Sequence, residues 1–164
     1  MVVAIMSDSH DHIEKLETAL VILRTYQVAH IIHCGDMVAP SVMNWLAGHF
    51  EGVIHYVFGN NEDRYLMTKL IEEQLAPHVV LYGDRGKVEL DGVKFAFNHF
   101  PDVAEDEVAT GKYDVVCYGH IHKYRAEQRG NTLLVNPGTV GGLFAEPTLV
   151  CYDTAMRECV RHDL

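Results

Sequence analysis

Short apolar runs punctuate the chain, and each stops at a glycine or a polar turn. Val2–Met6 runs into Ser7-Asp8-Ser9-His10, and His30–Cys34 into Gly35-Asp36. Val53–Phe58 runs into Gly59-Asn60-Asn61-Glu62, and Val115–Tyr118 into Gly119-His120-Ile121-His122. Apolar runs bounded by turn signals are the pattern of strands covered on both faces. Between the first three lie stretches of helical spacing. His12 to about Tyr26 repeats Ile13, Leu16, Ala19, Leu20 and Leu23, with Glu14, Lys15, Glu17 and Arg24 on the other face. Asp11 is placed to cap it. Pro40–His49 reads as a second helix with proline in its first turn, and Arg64 to about Leu75 as a third, closed by Pro77. Three consecutive strand–helix units predict a parallel sheet with right-handed crossovers.

The texture changes after residue 78. Short strands are predicted at 79–82, 87–90 and 94–97, the last two joined by Asp91-Gly92, a two-residue hairpin signal. A short acidic helix from Pro101 to about Thr110 ends at Gly111, and residues 113–118 return to a buried strand. Strands follow at 125–129, 132–135, 148–152 and 158–161, with frayed final residues. A helix-rich first half and a strand-rich second half suggest two sheets packed face to face with helices outside.

Composition narrows the function. The 164 residues suit one domain, 1–164, and 48 % hydrophobic residues can build its core. A formal net charge of -10 argues against general nucleic-acid binding, which needs basic surface. No apolar run approaches a membrane span, and the start has no basic leader, so no membrane partner is expected. Cys34, Cys117, Cys151 and Cys159 form no C-x-x-C pair and read as reduced thiols of a cytoplasmic protein.

The strand ends carry the chemistry. Asp8 and His10, two apart in an extended segment, project to one side. His120 and His122 repeat that spacing with imidazoles, the commonest transition-metal ligands. Asp36 sits at the carboxyl end of its strand, where open α/β sheets place their chemistry; taken singly, Asn60 and His99 read as ordinary loop residues, and Glu62 as an acceptor behind a ligand. Together, five strand ends supply seven donor groups, enough for two cations with Asp36 as the shared carboxylate. His33 and His55 read as core or edge residues. His12, His30, His49, His78 and His162 read as surface residues, and so do Lys123 and Arg64.

In order, Asp8-x-His10, Gly35-Asp36, Gly59-Asn60-x-Glu62, His99 and Gly119-His120-x-His122 resemble the signature of the calcineurin-like metallophosphoesterases. The short length and Val135-Asn136-Pro137-Gly138-Thr139 are similar to the small YfcE-type phosphodiesterase branch. That resemblance implies an α/β fold, a four-layer α/β/β/α sandwich of two mixed sheets. It implies a first metal held by Asp8, His10, Asp36 and His122, and a second by Asp36, Asn60, His99 and His120. The two divalent ions would be Mn²⁺ first, with Ni²⁺, Fe²⁺ or Zn²⁺ also suited. A hydroxide bridging them would attack a small phosphodiester, with Asn61, His99 and Asp36 as the catalytic side chains. Two positions depart from the family. Asn61 stands where many members have histidine, and Phe100-Pro101 follows His99 where many have Gly-His. Both departures weaken leaving-group protonation and point to diesters, or to activated esters, over alkyl monoesters. The competing readings are a phosphomonoesterase acting on nucleotides or phosphoproteins, and a non-catalytic scaffold like the retromer subunit of this fold. Relatives often self-associate, so a homo-oligomer is a further expectation.

Overall fold

The computed structural model describes residues 1–164 apart from Gln74 and Pro77. Along the chain run β1 (Val2–Met6), α1 (Ile13–Thr25), β2 (His30–His33), α2 (Pro40–His49), β3 (Val53–Tyr56), α3 (Arg64–Glu72) and β4 (Val79–Leu81). Then come β5 (Arg85–Leu90), β6 (Val93–Asn98), α4 (Pro101–Ala109), β7 (Val115–Cys117), β8 (Tyr124–Arg129), β9 (Thr132–Pro137), β10 (Thr148–Asp153) and β11 (Glu158–Asp163). One sheet has the order β11-β10-β1-β2-β3-β4, the other β5-β6-β7-β9-β8. In the first, β1 to β4 run parallel, as the strand–helix repeat predicts, and β10 and β11 add antiparallel to its edge. In the second, β6, β7 and β9 run parallel between antiparallel β5 and β8.

Side-chain alternation along each strand sorts the core into layers. Val3, Ile5, Ile32 and Val57 face Phe95, Phe97, Val115 and Val135 between the sheets. On the other face of the first sheet, Ala4, Met6, Ile31 and Ile54 pack under Leu16, Leu20, Leu23, Met43, Leu46 and Met67 of α1 to α3. Ala104 of α4 covers Ala96, Val116 and Leu134 of the second sheet. The result is the α/β/β/α sandwich. Each fully buried Leu, Ile, Val or Phe here contributes about 1.5–3 kcal/mol over leaving it exposed. Asp91 and Gly92 take φ of 50° and 75°, the left-handed pair that a tight two-residue hairpin needs between β5 and β6.

Three expectations change. Asp11 does not cap α1; its Oδ1 accepts from the Ala39 amide at 2.9 Å, and His12 holds the cap position with no side-chain bond. The carboxylate satisfies the entry to α2 instead, because a left-handed φ of 58° turns it away from its own helix. Helix α3 ends at Glu72 rather than Leu75, where the Leu75 amide reaches back to the Leu70 carbonyl at 3.1 Å in a closing turn. Pro77, expected to close that helix, lies outside the described residues. The C-terminus is not frayed: β11 runs to Asp163, the Leu164 amide donates to the Pro147 carbonyl, and Lys15 Nζ donates to the Leu164 carbonyl at 2.9 Å.

His30 is only half-buried at the surface, because its Nδ1 bonds His55 Nε2 at 3.0 Å, and His55 Nδ1 bonds the Tyr82 hydroxyl at 2.9 Å. Burial, helped by His30, pushes the His55 imidazole down to about 4. The unfolded chain therefore binds more protons than the fold between about pH 4 and the ordinary histidine value near 6.5. Stability from this group is complete above that window and is lost as pH falls through it. His55→Gln, which keeps a hydrogen-bonding side chain, should flatten the acid limb of the stability curve by up to about 3 kcal/mol. Urea unfolding at closely spaced pH values reads the difference; parallel acid limbs would refute it.

Candidate metal centre

Every proposed ligand sits just beyond the carboxyl end of a strand: β1, β2 and β3 in one sheet, β6 and β7 in the other. Open α/β sheets place their sites at that edge. The two sheets present the same edge together, so five loops meet. His99 Nδ1 donates to the Cys34 carbonyl at 2.8 Å, and the His120 amide donates to Asp8 Oδ2 at 3.0 Å, tying one sheet to the other.

The loops reach this arrangement through unusual backbone. Asp8, His10, Asp36, His120 and His122 all have positive φ, at 53°, 42°, 58°, 71° and 57°. Left-handed backbone costs a side-chain-bearing residue about 1–2 kcal/mol, and such residues cluster at functional sites. This corrects the extended geometry expected for the two ligand pairs. Asp8 and His10, like His120 and His122, converge because left-handed turns swing both members inward. Gly35 has φ 95°, and a Cβ there would lie 2.7 Å from the Gly59 amide nitrogen and 2.8 Å from His99 Nδ1. Only glycine lets the second and third loops approach this closely.

Asp36 is the centre. It is buried, its Oδ2 lies 3.6 Å from His10 Nε2, and its Oδ1 lies 3.6 Å from His99 Nε2. On the first side, Asp8 Oδ1 is 3.1 Å from His122 Nε2 and 3.9 Å from His10 Nε2. On the second, Asn60 Oδ1 is 3.0 Å from His99 Nε2 and 2.9 Å from His120 Nδ1. Donor atoms of Asp8, His10 and His122 lie within 4.8 Å of one another, as do those of Asp8, Asp36 and His99. The structure brings all seven predicted ligands together.

The donor set fits cations. Asp8 Oδ1 and His10 Nε2 are buried without a hydrogen-bond partner among the described residues. His122 Nδ1 donates to the Leu143 carbonyl at 2.8 Å and His99 Nδ1 to Cys34. In a neutral imidazole that leaves a lone pair on Nε2. Those lone pairs face the oxygens of Asp8 and Asn60, where a cation between nitrogen and oxygen would satisfy both. Burial by itself would raise the Asp8 carboxyl, but the His122 and His99 imidazoles outweigh it and hold the group below its ordinary value. The same Asp8 contact raises the His122 imidazole.

Behind the ligands, Glu62 accepts from the amides of Asp36 at 2.5 Å, Met37 at 3.3 Å, Val38 at 3.1 Å and Gly59 at 3.2 Å. It is the supporting acceptor the sequence suggested. Asn61 donates from its backbone to Asp36 Oδ1 at 2.9 Å and from its side chain to Oδ2 at 2.7 Å. Ser9 Oγ lies 3.2 Å from His33 Nε2 beneath the site, where burial pushes the His33 imidazole down to about 4 and keeps it neutral. Arg64 pairs with Asp84 at 2.6 Å and also donates to the Gly59 carbonyl at 3.3 Å.

The sequence reading missed two aromatic residues. Phe100 packs its ring 5.0 Å from His99 and 5.1 Å from His120, steadying both. Phe144 packs 5.6 Å from His122. Phe100 follows a ligand directly, which was a usable signal; nothing in the sequence around Phe144 marks it. An open cavity of about 260 Å³ over the centre is lined by His10, Asp36, Asn60, Asn61, His120 and His122, with Ile121 and Phe144 at its rim.

Known proteins share this fold. The calcineurin-like phosphoesterase superfamily domain matches residues 1–157. A phosphodiesterase of Methanocaldococcus jannaschii is 33 % identical over 162 residues, covering 96 % of each chain. The solved structure of an archaeal phosphodiesterase superposes with a TM-score of 0.91 at 32 % identity, over all of both chains. YfcE, a phosphoesterase of E. coli, shares the fold at a TM-score of 0.67 and 18 % identity, over 100 % of this chain and 98 % of its own. The fold, the edge that gathers five loops and the ordered motifs agree: the chain belongs to the calcineurin-like phosphoesterase superfamily.

Proposed function

We propose that the protein is a metal-dependent phosphodiesterase that hydrolyses small phosphodiesters at two divalent cations. One observation carries the reading: the two oxygens of Asp36 face two separate histidine sets, as a carboxylate shared between two ions must. The phosphodiesterase name of the one-third identical relative supports the substrate class.

Asp8, His10, Asp36 and His122 would hold one cation, and Asp36, Asn60, His99 and His120 the other. When bound, such a pair lowers the pKa of a water and clamps the oxygens of an in-line phosphoryl displacement. Mixed carboxylate, amide and imidazole donors suit Mn²⁺ first, then Fe²⁺, Ni²⁺ or Zn²⁺. Asn61 orients Asp36 with one amide N–H and has a second for a phosphoryl oxygen. His99, steadied by Cys34 and Phe100, presents Nε2 at a fixed angle. None of the side chains lining the cavity beside Asn61 is the extra histidine of many relatives, and an amide cannot protonate a leaving group.

General acid catalysis is worth about 10²–10⁴-fold, so poor leaving groups suffer most. Bis-p-nitrophenyl phosphate and p-nitrophenyl phosphate share one good leaving group, so their comparison reads ester class alone, and a diesterase should show the higher kcat/KM on the first. The test pairs these assays with elemental analysis of the Mn²⁺-loaded protein. Greater efficiency on the monoester would favour the phosphomonoesterase. No metal retained and no Mn²⁺-restored turnover would favour the scaffold; a Vps29 structure from Entamoeba histolytica shares the fold at a TM-score of 0.69 and 13 % identity. All four cysteines are free and no helix among the described residues is long and apolar enough to cross a membrane. The free thiols fit our reading of a cytoplasmic enzyme, and self-association belongs to the same proposal.

A further inference from the structure

Phe144 is the most exposed large apolar side chain among the described residues, at 92 %. It lines the cavity over the candidate metal centre together with Ile121, which is 37 % exposed. Water would not choose this position for a benzyl group, and the backbone does not favour it either: Phe144 has φ 64°, in the left-handed region that a bulky residue avoids. Strain of this kind persists only where the surroundings hold it.

The surroundings do hold it. Upstream, the Val140 amide donates to the Ser7 carbonyl at 2.9 Å, the Gly141 amide to the Asp8 carbonyl at 3.0 Å, and Thr139 Oγ1 to the same carbonyl at 2.8 Å. The Leu143 carbonyl accepts from His122 Nδ1. The segment is thus pinned to two ligand-bearing loops. Its exposed ring leans on His122, with centroids 5.6 Å apart at an interplanar angle of 40°, and lines the cavity. An aromatic face fixed beside a phosphate-binding centre recognises a flat ring by offset or edge-on stacking.

We propose that Phe144 is a specificity-determining residue: it stacks on a planar aromatic ring carried by one ester arm of the substrate. This rests on the phosphodiesterase reading and sharpens it, since an alkyl arm would gain little there. Stacking of this strength is worth roughly three- to tenfold in affinity.

The test is calorimetric binding of two diesters with poor leaving groups, diphenyl phosphate and diethyl phosphate, read before turnover, to the Mn²⁺-loaded protein and to Phe144→Ala and Phe144→Trp. Phe144→Ala should weaken diphenyl phosphate roughly three- to tenfold and leave diethyl phosphate unchanged, while Phe144→Trp restores the preference. Metal content should be equal in all three. Equal losses for both probes, or none for either, overturn the proposal. So does sedimentation showing that Phe144→Ala dissociates an oligomer, which would make a second copy the occupant. Because binding needs no turnover, a protein that stacks diphenyl phosphate but cleaves no diester would sink the phosphodiesterase reading separately.

Discussion

Asp36→Asn lowers kcat on bis-p-nitrophenyl phosphate by about 10³-fold or more while the protein stays folded. The substitution is nearly isosteric, so the buried site keeps its shape. Its amide nitrogen, however, replaces one of two oxygens that face separate histidine sets. An amide offers a single acceptor oxygen and carries no charge. On the two-cation reading proposed above, one cation would lose its carboxylate ligand and the shared position with it. Metal-ion catalysis supplies several kcal/mol of transition-state stabilisation, and each 1.36 kcal/mol is tenfold in rate. Losing about 4 kcal/mol of it gives the stated drop. Steady-state kinetics with excess Mn²⁺, beside elemental analysis, reads the result. Activity within tenfold of the parent would mean that Asp36 does not bridge.

Glu62→Ala destabilises the fold by about 3 kcal/mol and weakens metal binding by about 10–100-fold. One carboxylate accepts four backbone amides, from Asp36, Met37, Val38 and Gly59. Hydrogen bonds to a charged acceptor contribute about 1.5–3 kcal/mol each, and partial exposure lets water recover some of them. Glu62 also fixes the left-handed turn that aims Asp36, so the site loosens as the loop does. Thermal unfolding should fall by about 6–12 °C for a chain of this size. Glu62→Gln, which keeps one acceptor oxygen, should fall between the two. A Glu62→Ala variant with unchanged melting temperature and metal affinity would show that the loops hold themselves.

Much of the fold was legible because its signals are local. The strand–helix repeat of the first half, the Asp91-Gly92 hairpin and the proline-led helices α2 and α4 follow from periodicity and turn chemistry. What those signals could not carry were element ends. Asp11 does not cap α1 because the Ala39 amide, 28 residues away at the entry to α2, claims it. The C-terminal strand holds to its end because Pro147 and Lys15 tie down Leu164.

The site divides along the same line. Sequence by itself determined which groups can bind metal, since donor chemistry belongs to residue type, and the order of the motifs fixed the family. Only the tertiary structure decided how those groups meet. His120 touches Asp8 across 112 positions of chain, and the left-handed turns that aim the ligands answer to packing between two sheets. It also decided which imidazole nitrogen points inward, through carbonyls of Cys34 and Leu143 that no motif encodes. Phe144 reached the rim of the centre in the same way. Its position is set by backbone bonds to Ser7 and Asp8 far upstream, and long-range contacts leave no mark on the residues nearby.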